Sequence, residues 1–275
     1  MFDAYFNMTS STLNALFKSN LSFSICRTIF SRNKFSAAHF KPRKVIKKVP
    51  KHHKIPLFEP EEVTLASKVS VKPKQLFDYF LVLDIEATCD SPTNVDPPEI
   101  IEFPVLKVNA ETFETESVFH SYVRPVVNPE LTNFCTELTG IIQGMVDDEP
   151  EFKEVYQNFL QWLEKEHILK PGVKFAFATC SDPDLNYFFP LQCRVSGIEV
   201  PAYMKEWICV KRSFCDIWPY TWPDNISKML EYCELKPQGC LHSGIDDATN
   251  IARVIKDLAE RGLVFKINGF KDTDF

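Results

Sequence analysis

Tyr79-Phe80-Leu81-Val82-Leu83-Asp84-Ile85-Glu86 is the stretch on which the reading of this chain turns. Five consecutive apolar residues are too short for a helix and suit a strand covered on both faces. The strand ends on two carboxylates, Asp84 and Glu86, spaced two apart. Side chains alternate across a strand, so both acids point to the same face. Two anions projecting together from an apolar strand repel one another and lose hydration. A cation between them removes both penalties. The plainer alternative is that the strand ends here and both acids are solvated.

Working outward, residues 91–98 contain Pro92, Asn94, Asp96, Pro97 and Pro98 and read as a loop. Residues 100–108 and 118–123 read as further strands, and Pro104 in the first of them favours an edge or a bulge. Phe152, Val155, Tyr156, Phe159, Leu160 and Leu163 recur with helical spacing, which predicts an amphipathic helix over 151–166. A short strand follows at 173–178. A helix broken or kinked near Pro190 follows over 184–194, then helices over 227–235 and 246–261, the last closed by Gly262. Strands come first and then alternate with helices, so the expectation is an α/β domain built on a mixed sheet.

Two more acid clusters fall at element boundaries. Asp182-Pro183-Asp184 follows the 173–178 strand, where an Asp either caps the next helix or reaches ligand at the strand ends. His242-Ser243-Gly244-Ile245-Asp246-Asp247 opens the last long helix. There one Asp can cap the helix and the other can serve as a ligand, with Gly244 supplying backbone freedom.

Composition excludes several classes. Hydrophobic residues make up 45% and charged residues 25%, which is ordinary for a globular domain. Eight glycines, none before Gly140 and none spaced G-x-G, exclude a dinucleotide fingerprint, and no G-K-[ST] is present. Any phosphate must therefore be held without a glycine cradle. Nine cysteines in scattered positions suit a reducing compartment. Cys233, Cys240 and His242 could be offered as zinc ligands, but a fourth at sensible spacing is missing. Trp207, Trp218, Trp222 and Tyr220 could stack bases, although packing is the commoner use of such aromatics.

The net charge of −6 conceals a division. Residues 1–58 carry 11 Lys and Arg against the single acid Asp3, a charge of +10. The remainder carries 20 against 36, a charge of −16. The expected organisation is a disordered basic arm over 1–72, a folded domain over 73–270 and a short tail over 271–275. The arm reads as a transit peptide (hence mitochondrial), or as an RNA tether or nuclear-import segment in a cytoplasmic or nuclear protein. No apolar run approaches the length of a membrane span.

Together, Leu83-Asp84-Ile85-Glu86-Ala87-Thr88-Cys89-Asp90, Glu99-Ile100-Ile101-Glu102-Phe103-Pro104, Phe134-Cys135-Thr136-Glu137-Leu138-Thr139-Gly140-Ile141 and the 242–247 cluster resemble the DEDDh family of 3′–5′ exonucleases. Within that family they resemble most closely the enhanced-RNAi exoribonuclease branch. The resemblance covers about residues 76–269 and says nothing of the arm. It implies an RNase H-like mixed sheet flanked by helices. It also implies Asp84, Glu86, Asp184 and Asp247 as metal ligands, with Glu86 bridging two ions and Asp182 competing with Asp184. The family spacing of five selects Asp247 over Asp246.

By the same resemblance His242 is the general base, and Ala87, Thr88, Leu185 and His242 lie against the terminal nucleotide. The implied cofactor is two Mg²⁺ per site, about 3.5–4 Å apart, with Mn²⁺ able to substitute. The implied reaction releases 5′-mononucleotides from the 3′ hydroxyl end of single-stranded RNA, with DNA as an alternative substrate. A non-catalytic RNA-binding adaptor is the competing reading. Its support is Pro183, which stands where the family usually has Trp and removes a stacking surface.

Overall fold

The structure is a computed structural model that describes residues 72–271. The basic arm, its proposed targeting and tethering roles, and the last four residues of the tail lie outside the described residues. Seven strands form one sheet. They are β1 (Tyr79–Leu83), β2 (Glu86–Ala87), β3 (Ile100–Asn109), β4 (Thr115–Tyr122), β5 (Phe175–Thr179), β6 (Glu206–Cys209) and β7 (Gly269–Phe270). The order is β2-β3-β1-β5-β6-β7, with β4 also paired to β3. β1 runs parallel to β5 and β5 parallel to β6, while β3 is antiparallel to β1, β2 and β4. The helices are α1 (Asn133–Thr139), α2 (Phe152–Lys165), α3 (Phe189–Val195), α4 (Val210–Ile217), α5 (Ile226–Tyr232) and α6 (Gly244–Glu260).

β1 is buried on both faces, as its continuous apolar run requires. Phe80 and Val82 join Leu106, Ala176 and Ile208 under Ile251, Val254, Ile255 and Leu258 of α6. Leu81 and Leu83 join Val105 and Phe177 against Val155, Phe159 and Leu163 of α2. Phe103 anchors the second layer through ring contacts with Phe119, Phe152, Phe159 and Phe189. The result is a mixed sheet between helical layers. Among the described residues no helix is long and apolar enough to cross a membrane.

Two expectations need correction, and a third is met in an unforeseen form. β3 is not an edge strand: it pairs with β4 on one side and with β1 and then β2 on the other. Pro104 sits where the partner changes, opposite the unpaired Asp84-Ile85 step, so its missing donor falls at a break in the ladder. The helix after Asp184 changes form just before Pro190, where the sequence predicts a break or kink. A π-helical turn over Asp184–Phe188 precedes α3, because Pro190 has no N–H to give the carbonyl four residues back. Finally, α6 begins two residues before the predicted start.

Candidate active site

The unpaired step between β1 and β2 places Asp84 and Glu86 at the end of the sheet where β5 ends and α6 begins. Asp184, buried in the π-turn after β5, accepts the Ile85 amide at 2.9 Å and so ties that turn to the acid pair. Asp182 does something else. It forms a bidentate pair with Arg212 at 2.7 and 2.6 Å and accepts Trp207 Nε1 at 3.0 Å. The structure therefore leaves Asp184, not Asp182, facing the first two acids. Neither acid caps a helix through its side chain.

The head of α6 is built from three side chains of its own helix. Asn250 Oδ1 accepts the Gln238 amide, Asp246 Oδ2 the Cys240 amide and Asp247 Oδ2 the His242 amide, at 3.0, 2.8 and 2.8 Å. Alternate residues of the incoming loop are thus clamped, and His242 is presented, exposed, at φ 63°. Neither Asp caps the helix. Asp246 is a loop clamp, whereas Asp247 keeps Oδ1 buried and without a partner. Gly244 contributes closeness rather than freedom. A Cβ there would meet the Asp84 carbonyl oxygen at 2.7 Å, so α6 can start against the end of β1 only with glycine.

The electrostatics follow from crowding. Burial pushes Asp84 well above the usual carboxylate range, with Asp184, Glu86, Asp247 and Glu102 adding repulsion in that order. Glu86 is raised for the same reasons, burial first and then Glu102, Asp247 and Asp184. Burial lifts Asp184 to about 7, against the pull of the Ile85 amide. Burial also raises Asp247, against the pull of the His242 amide and side chain. A set of acids that resists ionising together is what a cation relieves. Glu86, His242 and Asp247 offer ligand atoms within 4.8 Å of one another. With the orphaned Asp247 Oδ1, the carboxylates of this group fit a hard divalent cation, and His242 stands beside them.

The other predicted residues separate. Ala87 is half-buried in β2 and its carbonyl accepts the Cys135 thiol. Thr88 is buried, with its amide and hydroxyl both bonded to Glu99 backbone. Leu185 is fully buried in the α2-side core, so it supports the π-turn from beneath and offers a substrate no surface. The zinc set fails: Cys233 is buried in the core beneath α6, apart from the Glu86–His242–Asp247 group. Trp207 is buried and Trp218 stacks on Phe214 at 4.3 Å, whereas Trp222 and Tyr220 are exposed.

Sequence reasoning missed how Glu99 and Glu102 are used. Glu99 accepts the amides of Val126, Val127 and Asn128, each at 2.8 Å. Glu102 accepts those of Gly244 and Ile245 at 2.8 and 3.2 Å, and His120 Nε2 lies 2.8 Å from it. The available signal was an acid inside an apolar strand, since a buried carboxylate must find donors somewhere.

Comparison with known proteins agrees with this geometry. Residues 81–255 match the exonuclease family model RNase_T. The chain is 50% identical over 204 residues to human (Homo sapiens) ERI1 exoribonuclease 3, covering 74% of this chain and 60% of that protein. The chain thus spans about three-fifths of that relative's length. The nuclease domain of 3′hExo, described as a DEDDh family member and solved bound to rAMP, superposes with a TM-score of 0.69. It is 33% identical, covering 72% of this chain and all of that domain. A 3′-exonuclease solved in 3′-end specific recognition of the histone mRNA stem-loop also gives a TM-score of 0.69, at 32% identity over 72% of this chain and 69% of that one. With acids of three elements crowded at one end of this sheet and His242 beside two of them, the chain belongs to the RNase_T exonuclease family, of the DEDDh type.

Proposed function

We propose that the chain is a Mg²⁺-dependent 3′–5′ exoribonuclease that removes 5′-mononucleotides from the 3′ hydroxyl end of single-stranded RNA. The observation that carries this reading is the buried, unpartnered Asp247 Oδ1 among raised carboxylates beside an exposed histidine. Asp84, Glu86, Asp184 and Asp247 would hold two Mg²⁺. When bound, these supply a low-pKa water and charge neutralisation at the phosphate and the leaving 3′ oxygen.

The chain's own residues do the rest. His242 sits on the exposed rim with its backbone fixed by Asp247, so its ring can take the proton of the attacking water and release it to solvent. Ala87 and the Thr88–Glu99 clamp give the floor of the site a fixed backbone edge, a suitable seat for the terminal sugar. Support for RNA comes from the relatives: one is named as an exoribonuclease, and another was solved recognising a histone mRNA stem-loop.

The test is shortening of a 5′-labelled single-stranded RNA beside a matched DNA. Wild type is expected to release mononucleotides with Mg²⁺ and none with chelator. Asp84→Ala should abolish turnover by losing the cation. His242→Ala should keep cation binding and slow turnover by about 10²–10⁴-fold. If no mononucleotide appears and Asp84→Ala behaves like wild type, the chain is an RNA-binding adaptor on an exonuclease fold.

A further inference from the structure

Glu102 lies outside the acid set assigned to the cation, yet it is 1% exposed and has three neighbours from two elements. Its Oε2 accepts the Gly244 amide at 2.8 Å, and its Oε1 accepts the Ile245 amide at 3.2 Å. Its Oε1 also lies 2.8 Å from His120 Nε2 on β4. These are the first two amides of α6, which have no carbonyl partner within the helix. The carboxylate also meets the positive end of the helix dipole. In the sheet, Glu102 stands directly opposite Glu86 in the β2–β3 register. One buried side chain therefore touches the helix that presents His242 and Asp247 while sitting across the ladder from Glu86.

The same seam is closed by Gly244. A Cβ there would meet the Asp84 carbonyl oxygen at 2.7 Å, Glu102 Oε2 at 3.1 Å and Pro104 Cγ at 3.2 Å. The start of α6 is thus pressed against β1 and β3 with no room to spare, and Glu102 supplies the bonds that hold it there. Because Glu102 occupies those amides, the N-terminus of α6 is spent on the protein rather than offered to a phosphate.

We propose that Glu102 is a positioning residue. By accepting the Gly244 and Ile245 amides across the seam with β3, it sets the distance of His242 and Asp247 from Asp84 and Glu86. It touches neither the cation nor the RNA. The inference rests on the proposed exonuclease reading for its kinetic arm and is independent of it for its binding arm. Removing the acceptor leaves a buried and a part-buried amide unpaired and frees the head of α6 to drift from the acid pair. A support of this kind is worth about 10–100-fold in cation affinity or turnover. Gln keeps one acceptor oxygen for one of the two amides, so it should recover part of that loss.

The experiment uses the full chain as wild type, Glu102→Ala, Glu102→Gln, His242→Ala and the Glu102→Ala/His242→Ala double variant. Mn²⁺ binding is read by electron paramagnetic resonance, turnover by the labelled RNA, and folding by the melting temperature. Glu102→Ala should weaken Mn²⁺ binding and lower kcat, each by about 10–100-fold, with KM for the RNA moving less than about threefold. Glu102→Gln should fall between Ala and wild type, and the double variant should lose less than the product of the single losses. Three results overturn the proposal. One is a Glu102→Ala protein that melts lower but matches wild type in Mn²⁺ affinity and kcat, which makes Glu102 mere scaffold. Another is a Gln variant no better than Ala, which makes its charge the active feature. The third is losses that multiply in the double variant. If Glu102→Ala does not fold, Glu102→Gln decides alone: a loss in Mn²⁺ affinity supports the proposal and none overturns it. If wild type releases no mononucleotide, the exonuclease reading falls, and the Mn²⁺ titrations still decide the role of Glu102.

Discussion

Asp184→Asn should stabilise the cation-free protein while destroying its chemistry. The folded environment raises Asp184 from its ordinary value near 3.8 to about 7, chiefly by burial. The native state therefore holds this proton over a range where the unfolded chain has lost it. Between about pH 4 and 7 the native state binds more protons, so stability falls as pH rises through that window and levels off above it. A shift of about three units corresponds to about 4 kcal/mol above pH 7. Water and buffer cations reaching the acid cluster screen part of this, leaving about 2 kcal/mol. Asn keeps the size of the side chain and an oxygen for the Ile85 amide, which Asp184 Oδ1 accepts at 2.9 Å, so only the charge is removed. At about 2–4 °C per kcal/mol for a domain of this size, the variant should melt about 4–8 °C higher than wild type at pH 8 in chelator. The gain should shrink to about a third of that at pH 5, where little of the penalty has accrued. Adding Mg²⁺ should raise the melting point of wild type and leave the variant almost unmoved. The assay is a set of thermal melts at pH 5 and 8, with chelator and with Mg²⁺. A variant that melts at or below wild type at pH 8 in chelator, or gains equally at both pH values, would refute the crowding argument.

Pro183→Trp should restore an aromatic surface beside Asp184 and lower KM for RNA by about fivefold or more, since stacking one base is worth about 1–3 kcal/mol; steady-state kinetics on the labelled RNA would show it. Gly269→Ala should lower stability by about 1–3 kcal/mol in urea unfolding, because a Cβ there would lie 2.1 Å from Trp207 Nε1, which is held by Asp182. Deleting residues 1–58 removes a charge of +10 and leaves −16, so RNA affinity should drop and its dependence on salt should flatten in titrations over a range of ionic strength.

What the sequence made legible, and what it did not, divides along a physical line. β1 was readable because five apolar residues are too short for a helix and suit a strand buried on both faces, and Phe80 and Val82 do face α6 while Leu81 and Leu83 face α2. α2 was readable from a different pattern, the helical spacing of its one apolar face. The third acid was not settled by local pattern, since Asp182 and Asp184 sit two apart in the same turn and either fits the spacing. What separates them is remote: Arg212 and Trp207 claim Asp182, and the Ile85 amide claims Asp184. Asp246 and Asp247 pose the same problem with the same kind of answer, because Cys240 takes one and leaves Oδ1 of the other unpaired. Glu102 carries the argument furthest. Its sequence context is an apolar strand, and nothing near it in the chain explains a buried anion. The explanation lies 142 residues away, in two amides at the head of α6. Metal sites built from several elements place their ligands at strand ends and helix starts, where composition marks them. The residues that fix the spacing between those elements sit in the seams, and a seam exists only once the sheet has formed. An acid within an apolar strand is therefore the sequence's one advance notice of such a seam, and it names neither the partner nor the distance.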